Sequence, residues 1–267
     1  MKDDLKIQLE ETEFNYLFDR VALLSESVRQ KYAVKTFGRD DIRGFQVGES
    51  LSPMNCRIRG AYELHEVSQY LLEKFHNSQD AFYLPTIGSA KTLKNKLKEI
   101  NAEPLRGWTH GQFFVEVDSV QPYQETLKTR LLSCDEMDTF IQIHSTGFKS
   151  SKDNQDLVTA MFKGLVAHGL GEAYVVEDGL RPIAVGFVYF SDNNIAYLAT
   201  AVTRRNDRNK GAHQALILRR IESARQRGMK YVSATAQLNS QSRRNMETLG
   251  FILSHTQILV KKSEGEE

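Results

Sequence analysis

Cysteine is scarce in this sequence: Cys56 and Cys134 are the only two in 267 residues. Two widely separated thiols exclude a disulfide framework and a zinc ribbon. The seven histidines include no H-E-x-x-H pair, and no metal site is expected. An excess of charge of one sign is missing too. The 35 Lys and Arg face 34 Asp and Glu, a formal net charge of +1, so no domain-wide basic field marks a nucleic-acid binder. Any anion site has to be local. No apolar run is long enough to span a bilayer, and the opening MKDDLKIQLEETEF is charged where a signal peptide is apolar. These absences lead to the expectation of a cytoplasmic protein, monomer or homodimer, with neither a nucleic-acid nor a membrane partner.

Hydrophobic residues make up 40% of the chain, enough for a large core. The second half punctuates itself clearly. Ser133 with Glu136 three residues on predicts a capping box, and Met137, Phe140, Ile141 and His144 follow at helical spacing. DNQDLVTAMFKGLVAHG predicts a second helix, stopped by glycine. AYVVEDGLRPIAVGFVYF predicts a hairpin about Glu177-Asp178-Gly179, and NNIAYLATAVT a further strand. A helix then runs to about Arg227 and stops at Gly228. MKYVSATAQ is a strand, SQSRRNMETLG a short helix, and FILSHTQILVKK a last strand or strand pair. With a first strand near Leu127–Leu132, the order is mixed α/β.

The first half is less regular. Tyr62–Phe75 and SAKTLKNKLKEINA predict helices, AFYLPT and QFFVEVD strands, and the first 50 residues fit no clear pattern. Strand, short helix and strand here echo the end of the chain in order, not in motif. VQPYQE, Val120–Glu125, is polar with one proline and is the expected linker. Trp108, Phe113 and Phe114 are expected in the core. His144, His168 and His255 are expected in packing or on the surface, Met246 as a gap-filler, Cys134 as structural, and Arg219, Arg220, Arg225 and Arg227 on a solvated helix face.

One stretch carries chemistry. RRNDRNKGAHQALILRRI follows an apolar strand and puts a glycine at the mouth of an amphipathic helix. A helix start presents unpaired N–H groups and the positive end of the helix dipole. A glycine there lets an anion approach the backbone, and Arg208 and Lys210 add countercharge. The physical reading is a pyrophosphate cradle. The spacing is neither that of a Walker loop nor G-x-G-x-x-G.

Arg208-Asn209-Lys210-Gly211-Ala212-His213 resembles the R/Q-x-x-G-x-G/A motif of the GNAT (Gcn5-related N-acetyltransferase) superfamily. NSQSRRNMETLGF resembles the S-x-R-N-x-E-x-x-G-F ending of bacterial members, and the element order agrees from about Leu127 to Lys262. The first half is similar to the degenerate amino-terminal half of tandem GNAT proteins. The resemblance implies an α/β fold with a mixed sheet, a degenerate GNAT-like domain at 1–124 and a catalytic GNAT domain at 125–267. It implies acetyl-CoA as co-substrate and a small-molecule primary amine as acceptor, acetylated by direct attack in a ternary complex. Ala201, Val202 and Thr203 would pair with the pantetheine arm like an added strand. Amides from Arg208 to His213 would hold the pyrophosphate. Asn239 and Ser242 would lie beside the pantetheine, and Arg244 or Arg243 would reach a phosphate.

The chain departs from the family at three places. His213 replaces a Gly or Ala. Met246 stands where relatives carry a general-acid tyrosine, and Tyr197 where many carry a general-base glutamate. An alkylammonium at pH 7 must lose a proton at a cost of about 4–5 kcal/mol, and the developing oxyanion needs N–H donors, for which the backbone after Ala199 is placed. Tyr197, acting through water, is the candidate for the proton. Glu177, Asp178 and Asp192 sit in turns farther out. Two alternatives stay open: an acyl-CoA-binding protein without turnover, and transfer of a longer acyl group.

Overall fold

The computed structural model describes residues 3–39, 42–49, 54–59, 82–85, 90–99, 101–148 and 152–263. The helix expected over Tyr62–Phe75 lies outside them, as does the Trp108 side chain.

Outside its turn, the run from Ala173 to Phe190 is almost wholly apolar, the pattern of strands covered on both faces. It forms β7 (Gly171–Asp178) and β8 (Arg181–Phe190), an antiparallel hairpin that turns at Gly179 with φ +65°. The hairpin belongs to an eight-stranded mixed sheet, in the order β4-β11-β5-β10-β9-β8-β7-β6. The other strands are β4 (Phe82–Pro85), β5 (Ala102–Glu116), β6 (Thr129–Leu131), β9 (Ile195–Thr203), β10 (Tyr231–Gln237) and β11 (Ile252–Lys262).

Strand alternation divides the core in two. Ala173, Val175, Val185 and Phe187 face one side, covered by α1 (Asp3–Ala22), α4 (Met137–Phe148) and α5 (Lys152–Ala167). Tyr174, Val176, Ala184 and Val188 face the other, covered by α6 (Ala212–Gln226) and α7 (Gln241–Thr248). The predicted capping box is present: the Ser133 N–H and hydroxyl both donate to the Glu136 carboxylate, at 3.0 and 3.1 Å. One 3₁₀ turn precedes α4. Phe113 and Phe114 are core residues, as expected.

The described residues of the first stretch, which fits no sequence pattern, form helices and strands. After α1 come α2 (Glu26–Lys31) and a small antiparallel sheet of β1 (Val34–Arg39), β2 (Ile42–Val47) and β3 (Cys56–Arg59). In α1 the buried face mixes Leu9, Phe14, Leu17 and Val21 with Glu10, Thr12, Glu13 and Arg20. Polar residues pointing inward erase the apolar stripe by which such a helix is recognised. A helix α3 (Ala90–Glu99) joins β4 to β5.

Residues 120–128, which hold the expected linker, have neither helix nor strand. Across them the sheet is continuous, because β5 lies between β10 and β11. The units β4-α3-β5 and β10-α7-β11 interleave: β5 pairs with β10, β11 pairs with β4, and β5 and β11 run side by side. No helix among the described residues is long and apolar enough to cross a membrane.

One surface expectation is overturned. Arg220 is 1% exposed. Its Nε donates to Leu216 O at 2.9 Å, and its Nη1 to Phe187 O at 2.9 Å and Thr200 O at 3.1 Å. Arg225 donates to Val117 O and Val120 O, and Arg227 ion-pairs with Glu172. Carbonyls at strand ends and irregularities draw these long side chains inward.

Candidate functional site

The parallel strands β9 and β10 pair only at Ile195, Ala196 and Tyr197 with Tyr231, Val232 and Ser233. Beyond that they separate, and Leu198–Thr203 and Ala234–Gln237 become two walls of a cleft of about 1170 Å³. A bulge starts the divergence. Between Phe187↔Thr200 and Tyr189↔Tyr197, β9 uses two residues, Leu198 and Ala199, against one on β8. Arg220 reaches up from α6 and supplies donors to the carbonyls of the Phe187–Thr200 pair. Gly186 leaves it the room, since a Cβ there would stand 3.1 Å from the guanidinium carbon. Burial pushes the Arg220 guanidinium down to about 9, still protonated at neutral pH.

At the open end the cleft reaches the start of α6. Gly211 is the N-cap, with φ +84°, a left-handed conformation that glycine adopts without strain. A Cβ there would meet nothing within 4 Å, so the space above the helix start is free. Asn209, φ +64°, bends the loop just before it. The loop is anchored by Asp207, 2% exposed, which accepts two bonds from Arg181, at 2.7 and 2.8 Å, and one from Lys210 at 3.1 Å. Those cations, Arg181 first, hold the Asp207 carboxyl well below the usual carboxylate range. The charge of Lys210 is thus spent within the loop, and Lys210 is outside the cleft wall. Arg208 is exposed and lines the cleft.

The structure brings Tyr197, Ala201, Val202, Thr203, Arg208, Asn209, Gly211, Ala212, His213 and Ser242 to this one cleft. Asn239 and Arg244 are exposed and outside its wall; Arg244 donates to Gln241. Asn245, not singled out in the sequence, lines the cleft and sits 2.9 Å from His213 Nδ1. Burial first, then the Arg220 charge, pushes the His213 imidazole down to about 4. His213 is therefore neutral beside the helix start and adds no cation. Glu177 is ion-paired with Arg130 at 2.8 Å, away from the cleft.

At the vertex, the Tyr197 hydroxyl donates to Thr235 Oγ1 at 3.2 Å, and Thr235 donates to Gln112 Oε1 at 2.5 Å. Burial, then the charge of Glu13, holds the Tyr197 phenol well above its ordinary value, so it stays protonated. That opposes Tyr197 as a base and suits it as a hydrogen-bond donor. The floor around it is a polar cluster that the sequence concealed. Glu13, 3% exposed, accepts from Arg57 at 3.0 Å and from Gln257 at 2.6 Å; Gln257 also donates to Glu10, which is 2.5 Å from His255 Nε2. These groups come from α1, β3, β5, β10 and β11. No local spacing announces such a convergence. The one available signal is the even mixing of polar and apolar residues in ETEFNYLFDR.

His144 lies in the opposite wall, packed between Phe140, Phe148 and Phe162. Burial, with the Arg20 charge second, pushes its imidazole down to about 4. The unfolded chain then binds more protons than the folded one between about 4 and 6.5. This contribution to stability is full above pH 6.5 and is lost as the pH falls through that window. His144→Phe should remove it. Between pH 7 and 4.5 the wild type should lose about 2 kcal/mol more than the variant, about 4–8 °C in thermal midpoint. Parallel curves for the two proteins would place the acid sensitivity elsewhere.

Residues 122–237 match the family model described as an acetyltransferase (GNAT) domain. No curated protein matches in sequence. Solved structures share the architecture over nearly the whole chain. A GCN5-related N-acetyltransferase from Kribbella flavida is 13% identical, covering 92% of this chain and 96% of its own, with a TM-score of 0.61. One from Sphaerobacter thermophilus is 12% identical, with 94% and 93% covered and a TM-score of 0.58. A putative GNAT-family acetyltransferase from Novosphingobium aromaticivorans is 16% identical, with 92% and 99% covered and a TM-score of 0.54. At these identities the likeness is one of fold.

Proposed function

We propose that this chain, whose residues 122–237 match the acetyltransferase (GNAT) family model, transfers the acetyl group of acetyl-CoA to the primary amine of a small molecule. The observation that carries the reading is the split between β9 and β10, which runs from a polar vertex at Tyr197 to the open helix start at Gly211. Acetyl-CoA would supply an acyl group already activated as a thioester. Its shape suits the cleft: an unpaired strand edge for an amide-containing arm, and a helix start with a glycine N-cap for a pyrophosphate.

On this reading the backbone of Ala201–Thr203 pairs with the arm, and the amides from Arg208 to His213 hold the phosphates. The bulge at Leu198–Ala199 turns backbone N–H groups away from the ladder, toward the acyl oxygen, where negative charge develops as the amine attacks. Of the carboxylates in the cleft wall, Asp207 is locked in the phosphate loop and Glu13 is at the vertex. We assign to Glu13, directly or through a water, the proton that the attacking amine must lose. The Tyr197 hydroxyl, which stays protonated, would orient the reacting groups as a hydrogen-bond donor, and the proton that Glu13 takes from the amine would leave on the CoA thiol.

Glu13, Arg20, Arg57 and His110 all line the cleft. Their origin supports a first half, 1–124, that walls the acceptor side of a catalytic half, 125–267. The interleaved units β4-α3-β5 and β10-α7-β11 fit an ancestral duplication. A binding-only reading is favoured by one observation: Met246, where relatives place an acid, is 2% exposed and apolar. Release of free CoA from acetyl-CoA with a panel of primary amines separates the two. Turnover with any amine supports transfer. Tight acetyl-CoA binding without release across the panel supports a sensor.

A further inference from the structure

Arg20, in the last turn of α1, is 8% exposed and lines the cleft. One of its terminal nitrogens donates to Met54 O, and its guanidinium sits 5.7 Å from the Tyr16 ring centroid. Among the described residues its Nε–H has no hydrogen-bond partner and no carboxylate ion-pairs with it, its one side-chain neighbour in hydrogen bonding being the neutral Tyr16 hydroxyl. The contrast with Arg57 is direct, since Arg57 has Glu13 at 3.0 Å. Burial pushes the Arg20 guanidinium down; the neighbouring Tyr16 hydroxyl acts against that shift, and the charge of Arg57, of the same sign, adds to it. A buried guanidinium without a counter-ion is costly in a free protein and is relieved by an anion.

The position is informative. Tyr197 stands at the vertex, its ring 5.4 Å from Tyr16, and Tyr16 in turn lies under Arg20. The reacting amine and the Arg20 fork therefore fall within the length of one small molecule. Three further buried polar atoms of the cleft wall lack partners among the described residues, His144 Nδ1, Thr200 Oγ1 and Gln257 Oε1. The wall beside His144 is apolar, formed by Phe148, Val158, Met161 and Phe162.

We propose that the acceptor is an amino carboxylate with an apolar body, its carboxylate held by Arg20 while its amine faces the thioester at Tyr197. This rests on the transferase reading above. A planar fork matches a carboxylate in two parallel hydrogen bonds, which an ammonium does not reproduce. The bond formed is an amide on the acceptor nitrogen. The bond broken is the thioester C–S bond, and the amine proton balances the CoA thiol that leaves.

The test uses the full chain with saturating acetyl-CoA and free apolar L-amino acids beside their carboxamides. CoA release gives kcat and KM; the midpoint shift that each compound adds to the CoA-loaded protein gives binding without turnover. The wild type should prefer acid over carboxamide by about 100-fold in kcat/KM. Arg20→Gln should erase that preference chiefly through KM, and Arg20→Lys should restore only part of it. Arg20→Gln removes an unpaired buried charge, so the free variant should stay folded, as its own midpoint will report. Release from carboxamides as fast as from acids, or a preference that survives Arg20→Gln, overturns the proposal and leaves the transferase standing. A midpoint shift by acids that Arg20→Gln abolishes, without CoA release, keeps the Arg20 site and overturns the transferase. Neither shift nor release overturns both.

Discussion

Gly211→Glu should abolish the thermal stabilisation that acetyl-CoA gives the wild-type protein. At about 100 times the dissociation constant, a ligand that binds only the folded state adds roughly 2.7 kcal/mol, about 5–10 °C in a chain of this size. The substitution attacks that term twice. Its carboxylate enters the space above the α6 start, where no protein atom lies within 4 Å of a Cβ, and there it opposes a pyrophosphate by volume and by charge. The backbone at φ +84° also penalises any side chain, by about 1–2 kcal/mol. The free variant should therefore melt a few degrees lower. Gly211→Ala carries the backbone penalty without the charge and serves as the control: it should keep part of the ligand shift. An undiminished shift in Gly211→Glu would move the phosphate cradle away from the helix start.

Arg220→Met, at the floor of the cleft, should be the most damaging change away from the helix start. Met fills much of the same volume but leaves Phe187 O and Thr200 O without the donors they now have, beneath a side chain that is 1% exposed. Each unsatisfied buried acceptor costs about 1–3 kcal/mol. A loss of about 3 kcal/mol corresponds to roughly 6–12 °C in midpoint. The same bonds tie α6 to β8 and β9 at the bulge, so the divergence of β9 from β10 should relax with them. Acetyl-CoA affinity should then fall along with stability. A variant with a normal midpoint would mean that the bulge carbonyls find other partners.

Much of the second half was legible because its signals are local. Gly179, Gly228 and Gly250, all with positive φ, mark ends that a reader of the sequence finds directly. The Ser133–Glu136 box and the strand–glycine–helix order about Gly211 depend on residues close along the chain. The site was legible in the same proportion. The strand edge and the helix start were found, while Lys210, Asn239 and Arg244, assigned by motif position, lie outside the cleft wall. Whether a side chain at a motif position faces the cleft depends on its neighbours. Asp207 claims Lys210, and Gln241 claims Arg244.

What the sequence determined by itself was the order of elements in the second half, the mixed α/β class and a helix that starts at a glycine, since each follows from periodicity, caps and glycine placement over a few residues. What only the tertiary structure decided was the polar vertex of the cleft and the burial of Arg220. Glu13 and Arg20 share α1, but that helix, Arg57, Gln112 and Gln257 are far apart in sequence. Each taken alone is an ordinary surface residue type. Their roles arise when α1 is laid across β9 and when β5 and β11 enter the sheet beside β10, because desolvation and pairing depend on neighbours in space, which a linear pattern does not carry.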